Sequence, residues 1–308
     1  KLGLFTYPFL LSQKLKQYQP DIVIAASDIP HIVWGAWCAK RLKVPFIADL
    51  YDNFEGFGQA RIPGMKHLLR QAVCQAQLVT TTSQPLAELV IHDYAAQAKV
   101  VSLPSTVDLT TFRSGNKSNA RERFGLLPNK QYIGTAGGLY KDKGVEVIYQ
   151  AWEKLKHEMP NVHLVLAGPY QPDYPPPEEE RVHYLGSLAH HEISTLFQAL
   201  DLGIISILDT PFGRYCFPQK AYEMLACELP VVVANIGEMS YLFRDSPQVL
   251  FQTGNANDLA SKIQKQLQAS QVASSEAVEL QHQLMQLIPN EAWMSIFVYL
   301  ILMLMLQA

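Results

Sequence analysis

Short apolar and β-branched runs alternate with helix-patterned stretches along almost the whole chain, and this alternation restricts the fold more than any other feature. IVIA (Ile22–Ala25), PFIAD (Pro45–Asp49), LVTTT (Leu78–Thr82) and KVVSL (Lys99–Leu103) read as buried strands. Between them lie helical stretches such as HIVWGAWCAKRL and MKHLLRQAVCQA. A second series follows: YIGTAG, HLVLAG, VHYLG, LGIIS, PVVVA and VLFQ, again with helices between. Antiparallel hairpins need only short turns, whereas a helix between every pair of strands implies parallel sheets covered on both faces. Two series imply two doubly wound α/β domains, which suits 308 residues at about 150 residues per domain.

The polar stretch RSGNKSNARERFGLLPNK, around Arg113–Lys130, separates the series. The expected division is residues 1–113, a linker at 114–130, a second domain at 131–285 and an apolar tail at 286–308. A further loop, PYQPDYPPPEEER, is too rich in proline for a helix or central strand and reads as a surface excursion. In open parallel sheets ligands bind beyond the carboxyl ends of the strands. Those loops are therefore where chemistry is sought.

A formal charge of −3 provides no general basic field, so nucleic acid is not an expected partner and any bound anion must be met by local groups. Cys38, Cys74, Cys216 and Cys227 show no metal-ligand rhythm and read as buried, reduced thiols. No metal site is expected. The start KLGLFTYPFLL shows no export signal, which points to the cytoplasm. From Met294 to Leu306 the chain is almost wholly apolar, yet shorter than the roughly 18 to 20 residues that span a bilayer. A buried helix, a membrane-surface contact and an aberrant end all remain open for it.

Two loops carry chemical residue types. In TAGGLYKDKGVEVIYQAW a strand runs into Gly137-Gly138, then a loop with Lys141 and Lys143, then Gly144 and a helix. Glycines let the backbone approach a ligand, loop N–H groups can face a phosphate, and a lysine adds charge. A solvated turn gives the same pattern. In CFPQKAYEMLACELPVVVA, Lys220 and Glu223 share a face near the start of a helix. A carboxylate there can accept from two ribose hydroxyls; an exposed Lys–Glu pair is the plainer alternative.

Taken in order, these elements resemble the retaining GT-B glycosyltransferases, specifically glycosyltransferase family 4. The succession GGLYKDKG, VHLVLAGP, VHYLG, HHEISTLFQALDLGIIS, KAYEMLACELPVVVA and IGEMSYLF follows the family's C-terminal domain over roughly Pro128–Lys265. YQPDIVIAAS, KVPFIADLYD, AQLVTTTSQPLAELV and LPSTVDLTTF match its N-terminal half more loosely. The resemblance implies two Rossmann-like domains facing a cleft, and a sugar transferred from a nucleoside-diphosphate donor to an acceptor hydroxyl of a glycan or lipid-linked glycan. It implies that Lys143 binds the donor diphosphate, that Glu223 bonds the ribose, and that N–H groups near Gly137 and Gly138 lie by the phosphates. Lys220 matches a subset of the family and joins the donor site. No cofactor is implied beyond the nucleotide sugar. The charge growing on the departing diphosphate is the main thing to stabilise, and the donor's own phosphate would help to deprotonate the acceptor.

Three positions depart from the family pattern. Gly138 stands where an Arg usually helps to hold the diphosphate. The first member of the paired-glutamate motif, counted back from Glu223, falls on Tyr215, with Cys216 beside it. Glu228 replaces a Gly where a helix end often needs φ > 0. The family's first strand and glycine-rich loop precede Lys1, so the first domain is expected to be incomplete. In the remaining N-terminal half, Asp49 and Asp52 are the catalytic candidates, in a loop shared with Asn53 and Glu55. Helix capping is the alternative for that cluster. Ser27 and Asp28 sit at another strand end, and the His residues receive no role. A non-catalytic relic that binds sugar nucleotides, and a sugar-nucleotide epimerase, are the competing functions. The former follows from the altered donor positions, and LPSTVDLTTF and the KAYEMLA helix speak against the latter. Peripheral contact at the inner membrane face completes the expectations.

Overall fold

The computed structural model describes residues 3–94, 96 and 98–271. The apolar run 294–306 and the expected tail at 286–308 lie outside them. The described residues form two compact units: 3–105 with Tyr215–Phe217, and 106–214 with 218–271.

In the first unit, α1 (Gly3–Tyr18), β1 (Val23–Ala25), α2 (Ile29–Leu42), β2 (Phe46–Leu50), α3 (Met65–Cys74), β3 (Leu78–Thr81), α4 (Gln84–His92) and β4 (Lys99–Ser102) follow in order. The sheet runs β1-β2-β3-β4, parallel throughout, with Val23 opposite Phe46 and Ile47 opposite Leu78. Every crossover steps the same way, so right-handed connections put α2, α3 and α4 on one face. The core lies beneath them, around Ile32, Phe46, Leu69, Val73 and Val79. Helix α2 starts where Asp28 Oδ1 accepts from the His31 N–H at 3.0 Å, with a proline in its first turn.

The second unit contains α5 (Lys117–Arg123), β5 (Gln131–Ala136), α6 (Val145–Glu158), β6 (Val162–Ala167), β7 (Val182–Tyr184), α7 (His190–Ala199) and β8 (Leu202–Ile205). These are followed by α8 (Pro211–Tyr215), whose last residue groups with the first unit, then α9 (Gln219–Ala226), β9 (Val231–Ala234), α10 (Gly237–Leu242), β10 (Leu250–Phe251) and α11 (Ala256–Gln271). The sheet is parallel, in the order β10-β9-β8-β5-β6-β7. The chain builds outward from β5 to β7, returns, and builds the other way from β8. The order therefore reverses between β5 and β8. Helices α6 and α11 pack together on one face, and α5, α7 and α9 on the other. Trp152, fully buried on α6, anchors the first layer, and truncating such a ring costs about 3–5 kcal/mol.

Two expectations are corrected. The stretch 114–130 is no free linker but part of the second unit. Arg121 of α5 is buried and gives its guanidinium to Ala199 O, Pro128 O and Asp201 Oδ2, at 3.1, 2.8 and 2.6 Å. A charged side chain placed inside in this way reads as polar linker in the sequence. Cys74 is exposed, while Cys38, Cys216 and Cys227 are buried free thiols as expected.

Candidate functional site

The reversal of strand order opens a crevice beyond the carboxyl ends of β5 and β8, where open α/β sheets bind their ligands. The residues there are held by close backbone contacts. Strand β5 runs into Gly137, at φ 111, whose N–H donates to Ala167 O at 2.9 Å. Gly168, at φ 122, lies so close that a Cβ on it would sit 2.1 Å from Gly137 O. Gly144, at φ 71, passes against the end of β8, where a Cβ would stand 1.7 Å from Ser206 O. The Ser206 hydroxyl donates to Lys143 O at 3.1 Å. The glycines thus fix the path of the loop, and the loop delivers Lys143 to the start of α6, whose N-terminal end carries partial positive charge.

The Lys143 ammonium lies over the Phe212 ring, 4.2 Å from its centroid. From α9, Lys220 Nζ donates to Thr135 Oγ1 at 3.1 Å and comes within 3.5 Å of where a Cβ on Gly137 would be. Burial, then repulsion from Lys143, pulls the Lys220 ammonium down to about 8, against the opposing pull of Glu223. Glu223 is half-buried, and burial pushes its carboxyl up despite His190, the Gln219 side chain and Lys220. The crevice therefore holds two crowded cations and one partly desolvated carboxylate. Such a set favours a ligand with a concentrated negative charge and adjoining hydroxyls.

Of the expected residues, Gly137, Gly138, Lys143, Lys220 and Glu223 all belong to the second unit. The Gly137 N–H, however, is spent on the sheet and does not face the crevice. The next N–H, of Gly138, makes no hydrogen bond among the described residues. Gly138 has the Tyr140 ring beside it, 2.5 Å from where a Cβ would stand. Glu228 takes the left-handed conformation expected of its position, at φ 58. Sequence reasoning assigned no His; His190, at the start of α7, packs edge-on against Phe112 and adds its field to Glu223. Its place after a strand end was the available signal.

The first unit holds the remaining candidates. Asp49 Oδ1 accepts from Thr80 Oγ1 at 2.6 Å, which ties β2 to β3. Asp52 accepts from the Asn53 N–H at 2.7 Å, and Asn53 Oδ1 in turn accepts from the Glu55 N–H at 3.1 Å. Glu55 pairs with Arg70 at 2.7 Å. Asp28 caps α2 and meets His31 Nδ1 at 2.6 Å, and Ser27 sits at φ 94. Tyr215 O accepts from the Ser83 hydroxyl at 2.7 Å.

Residues 130–269 match the family model for glycosyl transferases group 1, and residues 1–111 match the one for glycosyltransferase family 4. The D-inositol 3-phosphate glycosyltransferase of Mycobacterium marinum is 26% identical over 230 residues, 68% of this chain and 47% of that one. The putative teichuronic acid biosynthesis glycosyltransferase TuaC of Bacillus subtilis is 24% identical over 263 residues, 82% of this chain and 63% of its own length. The chain thus spans between 47% and 63% of these curated relatives. Among solved structures, Anabaena Alr3699/HepE in complex with UDP superposes with a TM-score of 0.80 at 20% identity, over 96% of this chain and 81% of that chain. Sucrose-phosphate synthase from Thermosynechococcus elongatus gives 0.77 at 17% identity, over 99% of this chain and 79% of that one. These likenesses identify the fold as GT-B, with two Rossmann-like units.

Proposed function

Because the chain belongs to the group 1 glycosyltransferases of GT-B fold, we propose that it moves a sugar from a nucleoside-diphosphate donor to an acceptor hydroxyl in glycan or glycolipid synthesis, with retention at the anomeric carbon. The observation that carries this reading is the meeting of Lys143, Lys220 and Glu223 at the reversal point of the second sheet. Uridine diphosphate is the first nucleotide to try, since a solved neighbour holds it.

In this reading the diphosphate lies against Lys143, Lys220 and the free N–H of Gly138, with the positive end of α6 behind them. Bond breaking at the anomeric carbon builds charge on that diphosphate, and preformed cations in a partly dry crevice stabilise it without reorganising. Lys220 supplies the second charge that the family's Arg would bring at position 138. Glu223 accepts from the ribose hydroxyls, and the burial that raises its pKa makes those added donors count. Asp49 acts through the strand it ties, as a positioning residue. Asp52 orients the acceptor.

The test is turnover. Incubated with UDP- or GDP-sugars and glycan or glycolipid acceptors, the chain should release nucleoside diphosphate only when acceptor is present. The product should keep the donor's anomeric configuration, read from proton coupling constants. An inverted product would contradict the mechanism, and release that Lys143→Ala leaves unchanged would contradict the site.

A further inference from the structure

The proline-rich excursion after β6 runs along the donor loop and grips it. Leu139 forms a parallel bridge with Tyr170. The Leu139 N–H donates to Pro169 O at 2.8 Å, and its carbonyl accepts from the Gln171 N–H at 3.4 Å. The Gln171 side chain then reaches one residue further, where its Oε1 accepts from the Lys141 N–H at 2.8 Å. The excursion is itself anchored at both ends. It leaves β6 through Gly168, which lies tight against Gly137. At its far end Glu179 accepts from the Nε1–H of the fully buried Trp152 at 3.1 Å and pairs with Lys156 at 2.8 Å, both on α6. Prolines at 169, 172 and 175–177 fix φ along the span, so holding it in one shape costs little chain entropy.

Lys141 opens the turn that presents Lys143. Its carbonyl accepts from the Gly144 N–H at 2.9 Å, and on the other side the Ser206 hydroxyl holds Lys143 O. The donor loop is therefore clasped between the end of β8 and the excursion. A lysine is a point charge on a flexible stem, and it gains affinity for an anion when the backbone that carries it is fixed before binding. We infer that residues 169–171 are a strap that presets the donor loop, with Gln171 a positioning residue that acts on diphosphate binding through Lys143. This role rests on the reading of Lys143 as a diphosphate ligand, and adds the side chain that holds its loop in place.

Two measurements on the intact chain test this. Amide hydrogen exchange, read by NMR without ligand, should find the Lys141 N–H protected. Gln171→Ala should speed its exchange about fivefold, the net effect of one hydrogen bond, while the amides of β5 exchange as before. Gln171→Glu, which keeps an acceptor oxygen, should restore the protection. Calorimetric titration should then show UDP affinity about fivefold weaker in Gln171→Ala. In a Lys143→Ala background the same change should cost no more than about twofold, because the lysine it positions is gone. Melting checks that each variant folds. Lys141 exchange unchanged in folded Gln171→Ala, or the same loss of UDP affinity in both backgrounds, would overturn the strap and leave the donor reading in place. A wild type that binds neither UDP nor GDP would overturn both.

Discussion

Lys220 shows how one side chain can be costly at rest and useful with ligand. Its ammonium is held to about 8 by burial and by Lys143, with Thr135 as its hydrogen-bond partner. The negative charge of a bound diphosphate would outweigh both effects and raise the bound-state pKa. Affinity for UDP should therefore be level below pH 7, then fall as pH rises through about 8, by up to tenfold per unit. Calorimetric titration from pH 7 to 9.5 checks this, with Lys220→Met expected to bind more weakly and to lose the slope. A wild-type affinity level to pH 9.5 would remove Lys220 from the diphosphate site. At this scale the sequence was legible where residue types are rare for their setting. A lysine pair next to glycines and a carboxylate on a helix face could both be picked out. The commitment of the Gly137 N–H to Ala167 could not, because it depends on which strand becomes the neighbour of β5. Nor could His190, which reaches Glu223 through the packing of α7 on α9.

Among the elements, the apolar strands announced themselves because burial on both faces of a parallel sheet leaves no room for polar alternation. Helix α5 did not, because its two buried residues are a small alanine, Ala120, and an arginine, Arg121. The turn into α6 depends on Gly144 for two separate reasons, its φ of 71 and the 1.7 Å that would separate a Cβ from Ser206 O. Gly144→Ala should therefore cost about 2 kcal/mol or more, well above the usual surface substitution, and should displace Lys143 as well. Chemical denaturation measures the first effect and UDP titration the second. A stability within about 0.5 kcal/mol of wild type would mean that the loop can move away from β8 at little cost.

For the molecule as a whole, alternation in the sequence indicated parallel sheets and two units but not strand order. Order is decided by which way each crossover steps, and the return from β7 to β8 leaves no local mark. That step nonetheless creates the crevice, since it separates the loops after β5 and β8 on the carboxyl edge of the sheet. The central claim is that this crevice takes the nucleoside diphosphate of a sugar donor. Calorimetric titration of UDP into the intact chain, Lys143→Ala and Glu223→Gln tests it most directly. The wild type should bind at one site and gain about 2.7 kcal/mol of stability at a hundredfold excess over Kd. Each variant should stay folded and lose at least tenfold in affinity, as expected for bonds to charged groups worth about 1.5–3 kcal/mol. No binding of UDP or GDP at millimolar concentration, or affinity unchanged in both variants, would contradict the account.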